Sequence, residues 1–432
     1  MQESSHRIGF FGLGKSNLSL MTLERFKECR LTIRSDVRID RNALPSGLNI
    51  ERIYDGPSST ELIDENILFF SPSVRRDRPE FTEAAKRGVI FSSDAELFFE
   101  QNKQPVFAVT GSDGKSTTAT LTHLILSEEG YQSRLIGNIG EGMYKNLGFP
   151  GLYVCELSSF MLSYLTPSVE RAAITCITPN HLDWHKDFNE YKAAKLSLLK
   201  CAERSVLTDE FICGNTIVSV EKSLNDLKRT HRAEHFITLD GDFILRDGIK
   251  LLRLSEIRRK EKYNLINLML AIGMTDGYAK KESIRRVARD FQGLSHRCEL
   301  VFQANGVDYY NSSIDSSPSR TINTLTALGR RVVIILGGKS KGLDYSELLP
   351  CLKKYAEHII LTGENAQEIN SAIREQNPII VEDFAEAVLI GKELAQGVGT
   401  LLLSPASTSY DKFKNYEERG RFFKEILTKS TL

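Results

Sequence analysis

Residues 105–117 read Pro105-Val-Phe-Ala-Val-Thr-Gly-Ser-Asp-Gly-Lys-Ser-Thr117. The apolar run at 106–109 has the length and composition of a buried parallel strand. After the glycine loop, apolar residues recur at helical spacing up to Gly130, a typical stop residue. The order strand, glycine loop, helix predicts a phosphate site, because free backbone N–H groups at the helix start and the helix dipole both attract an anion.

The loop also carries residue types that handle a nucleotide. Gly111 and Gly114 let the backbone wrap closely around a phosphate. Lys115 can reach the β and γ phosphates, and the Ser116 hydroxyl can bind Mg²⁺. The general P-loop pattern asks for a further glycine where Val109 stands, so a tight strand-to-helix turn without a ligand is the alternative.

Composition narrows the class of protein. The chain has 432 residues, which suggests roughly two to four domains at ~150 residues each. Lys plus Arg (56) balances Asp plus Glu (56), which argues against a nucleic-acid partner or a broad anionic membrane surface. The seven cysteines are scattered singly, so we expect a reducing cytoplasm and no zinc site. The first residues lack the apolar core of a signal peptide, and no apolar run approaches the ~20 residues of a membrane span, so no membrane insertion is expected.

The first third of the chain predicts a small α/β domain. A short strand runs into Gly12-Leu-Gly14, and further strands are predicted at 31–33 and 67–70. A dinucleotide fingerprint would need a third glycine where Asn17 stands, and an acidic residue where the second strand ends in Arg34-Ser35. These differences favour a phosphate or nucleotide-sugar site over NAD, with a purely structural strand–turn–helix as the alternative.

Two further predicted strands end in polar residues. One ends in Glu156, and the next runs into Thr178-Pro-Asn-His-Leu-Asp183. In a parallel sheet ligands gather at the carboxyl ends of the strands, so both endings are expected to face the loop of Lys115. A helix is predicted over 187–201 and contains Lys195.

The last third again predicts an α/β domain with a mostly parallel sheet, beginning near Gly293. Buried strands are predicted at 331–336, 358–361 and 400–403, with helical patterns between them. The stretch 207–253 has only short apolar pieces and turns, which predicts weak β structure.

Several of these motifs together resemble the Mur ligases of peptidoglycan synthesis. The stretch 110–117 is similar to the family's ATP loop, Glu156-Leu-Ser-Ser-Phe160 to a second motif, and 178–183 to a third. Gly293-Leu-Ser-His-Arg297 resembles the hinge into the family's third domain. The run 403–420 is similar to one found in the members that add D-glutamate, and the resemblance spans nearly the whole chain.

The resemblance implies three domains: an N-terminal Rossmann-like domain for the nucleotide sugar (1–93), a central P-loop-type ATPase domain with a mostly parallel sheet (94–293) and a C-terminal Rossmann-like α/β domain for the amino acid (294–432). It implies a monomeric, cytoplasmic amide ligase with Mg²⁺ as cofactor. The substrates would be ATP, UDP-N-acetylmuramoyl-L-alanine and D-glutamate. Such ligases transfer the γ-phosphate of ATP to a substrate carboxylate, and an amine attacks the acyl phosphate, so no protein nucleophile is needed.

The same resemblance implies roles for individual residues. The catalytic residues would be Lys115, Glu156, His181 and Lys195, with Lys195 carbamylated by CO2, and the metal ligands would be Ser116, Glu156, His181 and that carbamate. ATP would be bound by Gly111, Ser112, Asp113, Gly114, Lys115, Ser116, Thr117, Asn267 and Arg297. The UDP substrate would be bound by Lys15, Ser16, Arg34, Ser35, Ser73 and Asn138, and D-glutamate by Lys341, Ser409 and Tyr416. Without the resemblance, Glu156 would be a strand-end cap, His181 a partly buried imidazole and Lys195 a surface lysine.

One position departs from the family pattern. The family has Asp, facing the nucleotide, where Ser312 stands here. Asp315 is nearby, but on a strand residues 312 and 315 would point to opposite faces. This departure keeps open a ligase-like scaffold without activity. A P-loop NTPase that acts as a regulatory switch is a separate alternative from another class of function. Within the ligase class, the alternative is a Mur enzyme that adds another amino acid.

Overall fold

The computed structural model describes residues 7–41, 44–139, 142–340 and 342–429. The chain divides into two compact units, one up to Phe291 and one from Gln292 onward. Two β-sheets lie in the first unit and one in the second, and most of their strand pairs are parallel. The predicted α/β fold is confirmed, while the boundaries of the three domains stay predictions. Within the described ranges, no helix combines the length and apolar character needed to cross a membrane.

Phenylalanine-rich strands form the N-terminal sheet. Its elements are β1 (Arg7–Phe11), α1 (Lys15–Met21), α2 (Glu24–Lys27), β2 (Arg30–Ser35), β3 (Ile50–Asp55), β4 (Ile67–Phe70), α3 (Pro79–Lys86), β5 (Ile90–Ser92) and α4 (Asp94–Gln101). Phe10 stacks on Phe69 with ring centroids 5.4 Å apart, and Phe26 packs edge-on against both. The parallel order β3-β2-β1-β4-β5 reverses between β1 and β4, so the carboxyl ends of these two strands open a crevice.

Asn17 stands where a dinucleotide fingerprint has its third glycine. It is fully buried, and its side-chain amide donates to the carbonyls of Phe11, Gly12 and Phe69 at 3.1, 2.8 and 3.2 Å. The side chain thereby ties the turn after β1 to the end of β4. The departure from the fingerprint thus has a structural role, because it fixes the shape of the crevice.

The surroundings of Arg34 contradict its predicted contact with a ligand. Its side chain and that of Glu65 are both 0% exposed, and Nη2 lies 2.7 Å from Oε1 of Glu65. Nε donates to the same carboxylate, while the remaining N–H groups donate to the carbonyls of Ser59, Glu61 and Leu62. All five N–H groups are used inside the protein. The prediction that Arg34 contacts the UDP substrate is therefore wrong, and its role is to hold this loop.

Breaking the buried pair should destabilise the protein. Glu65→Gln leaves the Arg34 guanidinium buried without its counter-ion, and we expect the free energy of unfolding to fall by about 3–5 kcal/mol. Urea unfolding followed by circular dichroism measures the loss. The control is Arg52→Ala, which breaks a partly exposed ion pair with Asp64 in the same sheet and should cost about 0–1 kcal/mol. Equal losses in the two variants would contradict the role assigned to Arg34.

The central sheet carries the phosphate loop at its middle. Its strands are β6 (Val106–Thr110), β7 (Ser133–Gly137), β8 (Leu152–Glu156), β9 (Val169–Ile174), β10 (Ala202–Thr208), β11 (Thr216–Ser219), β12 (His235–Asp240), β13 (Phe243–Arg246) and β14 (Ile249–Arg253). The order is β14-β13-β12-β11-β10-β9-β6-β8-β7, with β12 to β14 antiparallel. The fully buried β6 pairs with β8 and β9 in parallel, so their carboxyl ends share one edge, as predicted.

The helices of this part of the chain pack around that sheet. They are α5 (Lys115–Glu129), α6 (Ser159–Leu162), α7 (Phe188–Leu196), α8 (Leu224–Thr230), α9 (Lys262–Met274) and α10 (Lys281–Asp290). Gly130 caps α5 in a left-handed conformation (φ 101°), which confirms the predicted stop. The largely buried α9 packs against α5 and brings Asn267 to the start of that helix.

The C-terminal unit is an α/β layer of its own. Its elements are β15 (Glu299–Ala304), β16 (Val307–Asn311), α11 (Pro318–Leu328), β17 (Val332–Leu336), α12 (Leu349–Tyr355), β18 (Ala356–Leu361), α13 (Ala366–Ile373), β19 (Ile379–Ile380), α14 (Phe384–Val398), β20 (Thr400–Leu403) and α15 (Tyr416–Lys429). The order is β15-β16-β20-β17-β18-β19, parallel except for β15. The predicted strands at 331–336, 358–361 and 400–403 correspond to β17, β18 and β20.

Candidate active site

The phosphate loop adopts a backbone that only glycine allows at two points. Gly111 has φ 146°, and a Cβ there would lie 1.9 Å from Oγ1 of Thr175. Gly114 has φ 82°, and a Cβ there would lie 2.3 Å from Oδ1 of Asn267. The loop therefore packs directly on the end of β9 and on α9. Its backbone begins α5 at Lys115, with Ser116 and Thr117 buried in the first turn and Asp113 exposed.

Ser112 shapes this loop from inside. Its hydroxyl accepts the N–H of Thr178 and donates toward the Thr178 carbonyl, both at 2.9 Å, and lies 2.7 Å from the Tyr191 hydroxyl. Its own N–H donates to the carbonyl of Cys176 at 2.8 Å. Because these groups are used within the protein, Ser112 positions the loop, whereas the sequence had predicted contact with ATP. Lys115 donates to the Ser112 carbonyl at 2.7 Å.

Lys195 is buried against the phosphate loop. Its side chain lies on α7, it is only 2% exposed, and Nζ donates to the carbonyl of Gly111 at 2.6 Å. The same Nζ lies over the Tyr191 ring, 4.6 Å from the centroid. Burial, aided by the positive charge of Lys115, lowers the pKa of Lys195 from 10.5 to about 7. The interpretation as a surface lysine is wrong, and the lowered pKa means that the neutral amine is substantially populated near pH 7.

Glu156 presents an unused carboxylate oxygen. It ends β8 and is 1% exposed; Oε1 accepts from Nδ2 of Asn138 at 2.8 Å. Oε2 is buried and has no hydrogen-bond partner among the described residues. Asn138 follows Gly137 (φ 107°), and its N–H donates to the Glu156 carbonyl at 2.9 Å. A buried anionic oxygen without a partner is costly, so this position suits a bound cation.

His181 lies on the exposed side of the same region. Its backbone is left-handed (φ 54°), and its carbonyl accepts the N–H groups of Trp184 and His185 at 3.1 and 3.0 Å. The imidazole packs edge-on against Phe160, with ring centroids 4.9 Å apart. The residue is exposed, so the alternative interpretation of His181 as a partly buried imidazole is wrong.

The oxygen donors near the phosphate loop fit a magnesium ion whose remaining coordination positions are filled by a bound ligand and water. Within the described part of the chain, no three His, Cys, Asp or Glu side chains are grouped so that they could hold a metal. Ser116 and Glu156 offer only two oxygen donors. Mg²⁺ is usually bound through one or two carboxylates together with substrate phosphates and water. The residues present therefore fit a cation held jointly with a nucleotide.

The predicted contacts to the UDP substrate are partly gathered in one place. Lys15 and Ser16 begin α1 beside the end of β1, and Ser73 follows β4, so these three surround the crevice of the N-terminal sheet. Ser35 ends the neighbouring β2, is 5% exposed, and accepts the N–H of Val37 at 3.3 Å. Asn138 directly follows β7 of the central sheet.

In the C-terminal unit the structure shows Arg297, Ser409 and Tyr416, whereas Lys341 lies outside the described residues. Ser409 is 2% exposed. Burial raises the pKa of Tyr416 to about 12. No pattern in the sequence marks Arg419 as buried, although it lies inside the run 403–420 and is only 2% exposed. Its guanidinium donates to the hydroxyl and carbonyl of Ser313 and to the carbonyls of residues 407 and 408, so it joins the two loops.

Ser312 and Asp315 lie in one buried polar cluster, which corrects the expectation that they point to opposite faces. The strand β16 ends at Asn311, and the Asp315 N–H donates to the Ser312 carbonyl at 2.9 Å in a turn. The Asp315 carboxylate accepts from the hydroxyls of Thr324 and Ser404, both at 2.7 Å, and burial raises its pKa. With Ser312 0% and Asp315 5% exposed, both side chains serve packing inside this unit.

Fold and site define a nucleotide-binding α/β protein with a P-loop-type strand–loop–helix. Comparison with known families narrows this class. The model of the Mur ligase middle domain matches residues 109–275, and that of the Mur ligase, glutamate ligase domain matches residues 296–407. The chain belongs to the Mur ligase family.

Relatives with curated names support this assignment. The UDP-N-acetylmuramoylalanine--D-glutamate ligase of Clostridium botulinum (strain 657 / Type Ba4) is 35% identical over 379 residues, which cover 84% of this chain and 82% of the relative. The enzyme of that name from Clostridium novyi (strain NT) is 36% identical over 377 residues, with the same coverage.

Solved structures share the fold at low sequence identity. The UDP-N-acetylmuramate-alanine ligase MurC of Thermotoga maritima has a TM-score of 0.63 and 17% identity, with coverage of 98% of this chain and 100% of the other. A pseudomurein peptide ligase type C from Methanothermus fervidus has a TM-score of 0.56 and 14% identity, with coverage of 99% and 100%.

The lowered pKa of Lys195 gives a pH-dependent prediction. Cyanate reacts with neutral amines, so its reaction with Lys195 should increase as the pH rises through about 7, well below the ordinary lysine pKa of about 10.4. Peptide mass spectrometry after brief treatment at several pH values measures the modification of Lys195. The pKa of Lys195 is lower in the folded than in the unfolded protein, so this residue reduces the free energy of unfolding at pH values below about 7. This penalty decreases as the pH rises and vanishes as the pH approaches 10.5. A reaction of Lys195 that appears only near the ordinary lysine pKa of about 10.4 would contradict the prediction.

Proposed function

We propose that this chain is the ATP-dependent ligase that joins D-glutamate to UDP-N-acetylmuramoyl-L-alanine, in the cytoplasm and as a monomer. The observation that carries the proposal is the buried Lys195 amine at 2.6 Å from the phosphate-loop carbonyl of Gly111. A neutral amine in that place suits reaction with CO2, and the product would offer anionic oxygens beside a nucleotide. The names of the relatives supply the identity of the two joined substrates.

The described residues can be assigned to the steps of such a reaction. The loop at 111–117 would bind the triphosphate through backbone N–H groups, and Lys115 would stabilise the charge on the transferring γ-phosphoryl group. The substrate carboxylate attacks the γ-phosphorus and ADP leaves, which gives an acyl phosphate. The amine of D-glutamate then attacks the carbonyl carbon, phosphate leaves, and the amine loses a proton.

Two cation positions would support this chemistry. Ser116 and the free Oε2 of Glu156 would hold Mg²⁺ at the triphosphate, and His181 with a carbamylated Lys195 would serve a second ion. When bound, Mg²⁺ neutralises phosphate charge and draws anionic substrates together. Carbamylation converts a buried amine into an anion with two hard oxygens, which suits this ion better than an ammonium group.

The first test of the function is substrate dependence. We expect phosphate release to require ATP, Mg²⁺, UDP-N-acetylmuramoyl-L-alanine and D-glutamate together, and the product should contain the new amide by mass spectrometry. Each other amino acid, including L-glutamate, serves as a control. Equal release without an amino acid would favour a regulatory NTPase, and nucleotide binding without product would favour an inactive scaffold. Preference for another amino acid would assign a different Mur reaction.

The second test concerns the carbamate. Lys195→Ala should lower the ligation rate by at least the ~10²–10³ typical of a lost electrostatic group, and acetate or formate should partly restore it by supplying an anion in the same space. Lys195→Arg should be equally inactive and should not respond, because its cation fills that space. Lys192→Ala is the matched control, since this exposed lysine lies on the same helix. An active Lys195→Ala protein would remove the carbamate from the mechanism.

A further inference from the structure

A loop that follows β4 of the N-terminal sheet contacts, through Arg75, the segment that follows β9 of the central sheet. Arg75 follows β4, and its guanidinium lies over the Trp184 ring with Cζ 4.9 Å from the ring centroid. Nη1 and Nη2 donate to the two carboxylate oxygens of Glu190, each at 3.1 Å, and Nη1 also donates to the Trp184 carbonyl. In return, the Trp184 indole N–H donates to the Ser73 carbonyl at 2.8 Å.

These contacts use the whole guanidinium. Nε and Nη2 of Arg75 also bind the carboxylate of Asp77 at 2.9 and 2.6 Å, so all five N–H groups are engaged. The hydrogen bonds that Arg75 donates to Asp77, and then those to Glu190, raise its pKa. Paired charge-assisted hydrogen bonds of this kind are strong and directional. We name Arg75, Trp184 and Glu190 the arginine clamp.

The arginine clamp is joined to the segment that carries two predicted catalytic residues. Glu190 lies in the first turn of α7, and its N–H donates to the capping carboxylate of Asp187 at 2.8 Å. Further along this helix, Lys195 contacts the phosphate loop. Upstream, the Trp184 N–H donates to the carbonyl of His181 at 3.1 Å. The clamp therefore contacts the segment between His181 and Lys195 at two points, Trp184 and Glu190.

We propose that Arg75 is a positioning residue for the reaction centre, holding the segment 181–195 so that His181 and Lys195 keep their places beside the phosphate loop. The inference rests on the proposed function for the reaction it serves. Arg75 and Ser73 belong to the loop beside the crevice of the N-terminal sheet, so the clamp links that crevice to the phosphate loop. Phosphoryl transfer needs the two bound substrates in register, and a misplacement of about 1 Å can cost ~10² in rate.

The test compares Arg75→Ala with Arg75→Lys. The control is Arg52→Ala, which breaks the ion pair between Arg52 on β3 of the N-terminal sheet and Asp64, neither of which belongs to the clamp. Hydrogen–deuterium exchange of the peptide over 181–196, without substrates, reports on the segment itself. Trp184 is the only tryptophan in the chain, so its emission reports on the clamp. Steady-state kinetics with all substrates give kcat and KM.

For Arg75→Ala we expect faster exchange over 181–196, Trp184 emission at longer wavelength, and a kcat lowered on the order of 10–100-fold. The KM for ATP should change less than about threefold, because the loss concerns alignment and not ground-state binding. Arg75→Lys keeps the charge but cannot bridge two carboxylates, so it should behave like Arg75→Ala. Arg52→Ala should match the wild type in every measurement.

Unchanged exchange over 181–196 would overturn the proposal, and so would faster exchange with an unchanged kcat. A raised KM for ATP at constant kcat would also overturn it. If the wild-type protein forms no amide with any amino acid, the proposed function fails, and the exchange measurement still decides whether Arg75 holds the segment. Should Arg75→Ala fail to fold, Glu190→Gln and Trp184→Phe, which remove a charge and an indole N–H, take its place with the same expectations for exchange and kcat; only Glu190→Gln keeps the tryptophan emission as a readout.

Discussion

The contact between α7 and the phosphate loop is the interaction on which the candidate site depends. Lys195 donates to the carbonyl of Gly111, and the Tyr191 hydroxyl meets that of Ser112, so two side chains of one helix hold two successive loop residues. Only glycine fits at position 111 in this packing, because its φ is 146° and the nearby Thr175 leaves no room for a side chain. The same burial that fixes the loop also lowers the pKa of the lysine. Position and reactivity of Lys195 thus have a single cause.

Local signals in the sequence were sufficient for the architecture around that contact. The apolar run at 106–109, the glycine loop and the helical spacing up to Gly130 each depend on neighbouring residues, and the structure has β6, the loop and α5 there. The position of Glu156 beside the loop was predictable from one rule, namely that the carboxyl ends of parallel strands share an edge of the sheet. Such features are predictable since strand direction and helix spacing follow from local pattern.

The features that sequence reasoning missed are buried charges whose partners are distant in the chain. Arg34 finds Glu65 and three carbonyls, and Arg419 joins loops about a hundred residues apart. A charged residue on a strand or helix predicts exposure, and no periodic pattern marks its burial. Ser312 and Asp315 were misplaced for a different reason. The strand was assumed to continue, whereas it ends at Asn311 and a turn brings both side chains into one cluster.

Glu156 and Lys195 are less favourably placed in the protein without ligands than they would be with ligands bound beside them. Glu156 keeps a buried carboxylate oxygen without a partner among the described residues, and Lys195 keeps an amine whose charged form is disfavoured by burial. Each arrangement lowers the stability of the fold, because the buried Glu156 oxygen lacks a partner and because burial disfavours the charged form of Lys195. A cation at Glu156 and a neutral or acidic modification at Lys195 would each remove such a cost. Because both groups lie beside one phosphate loop, whatever relieves one of them changes the electrostatic field felt by the other, and the two events are thereby linked through the loop that holds the nucleotide.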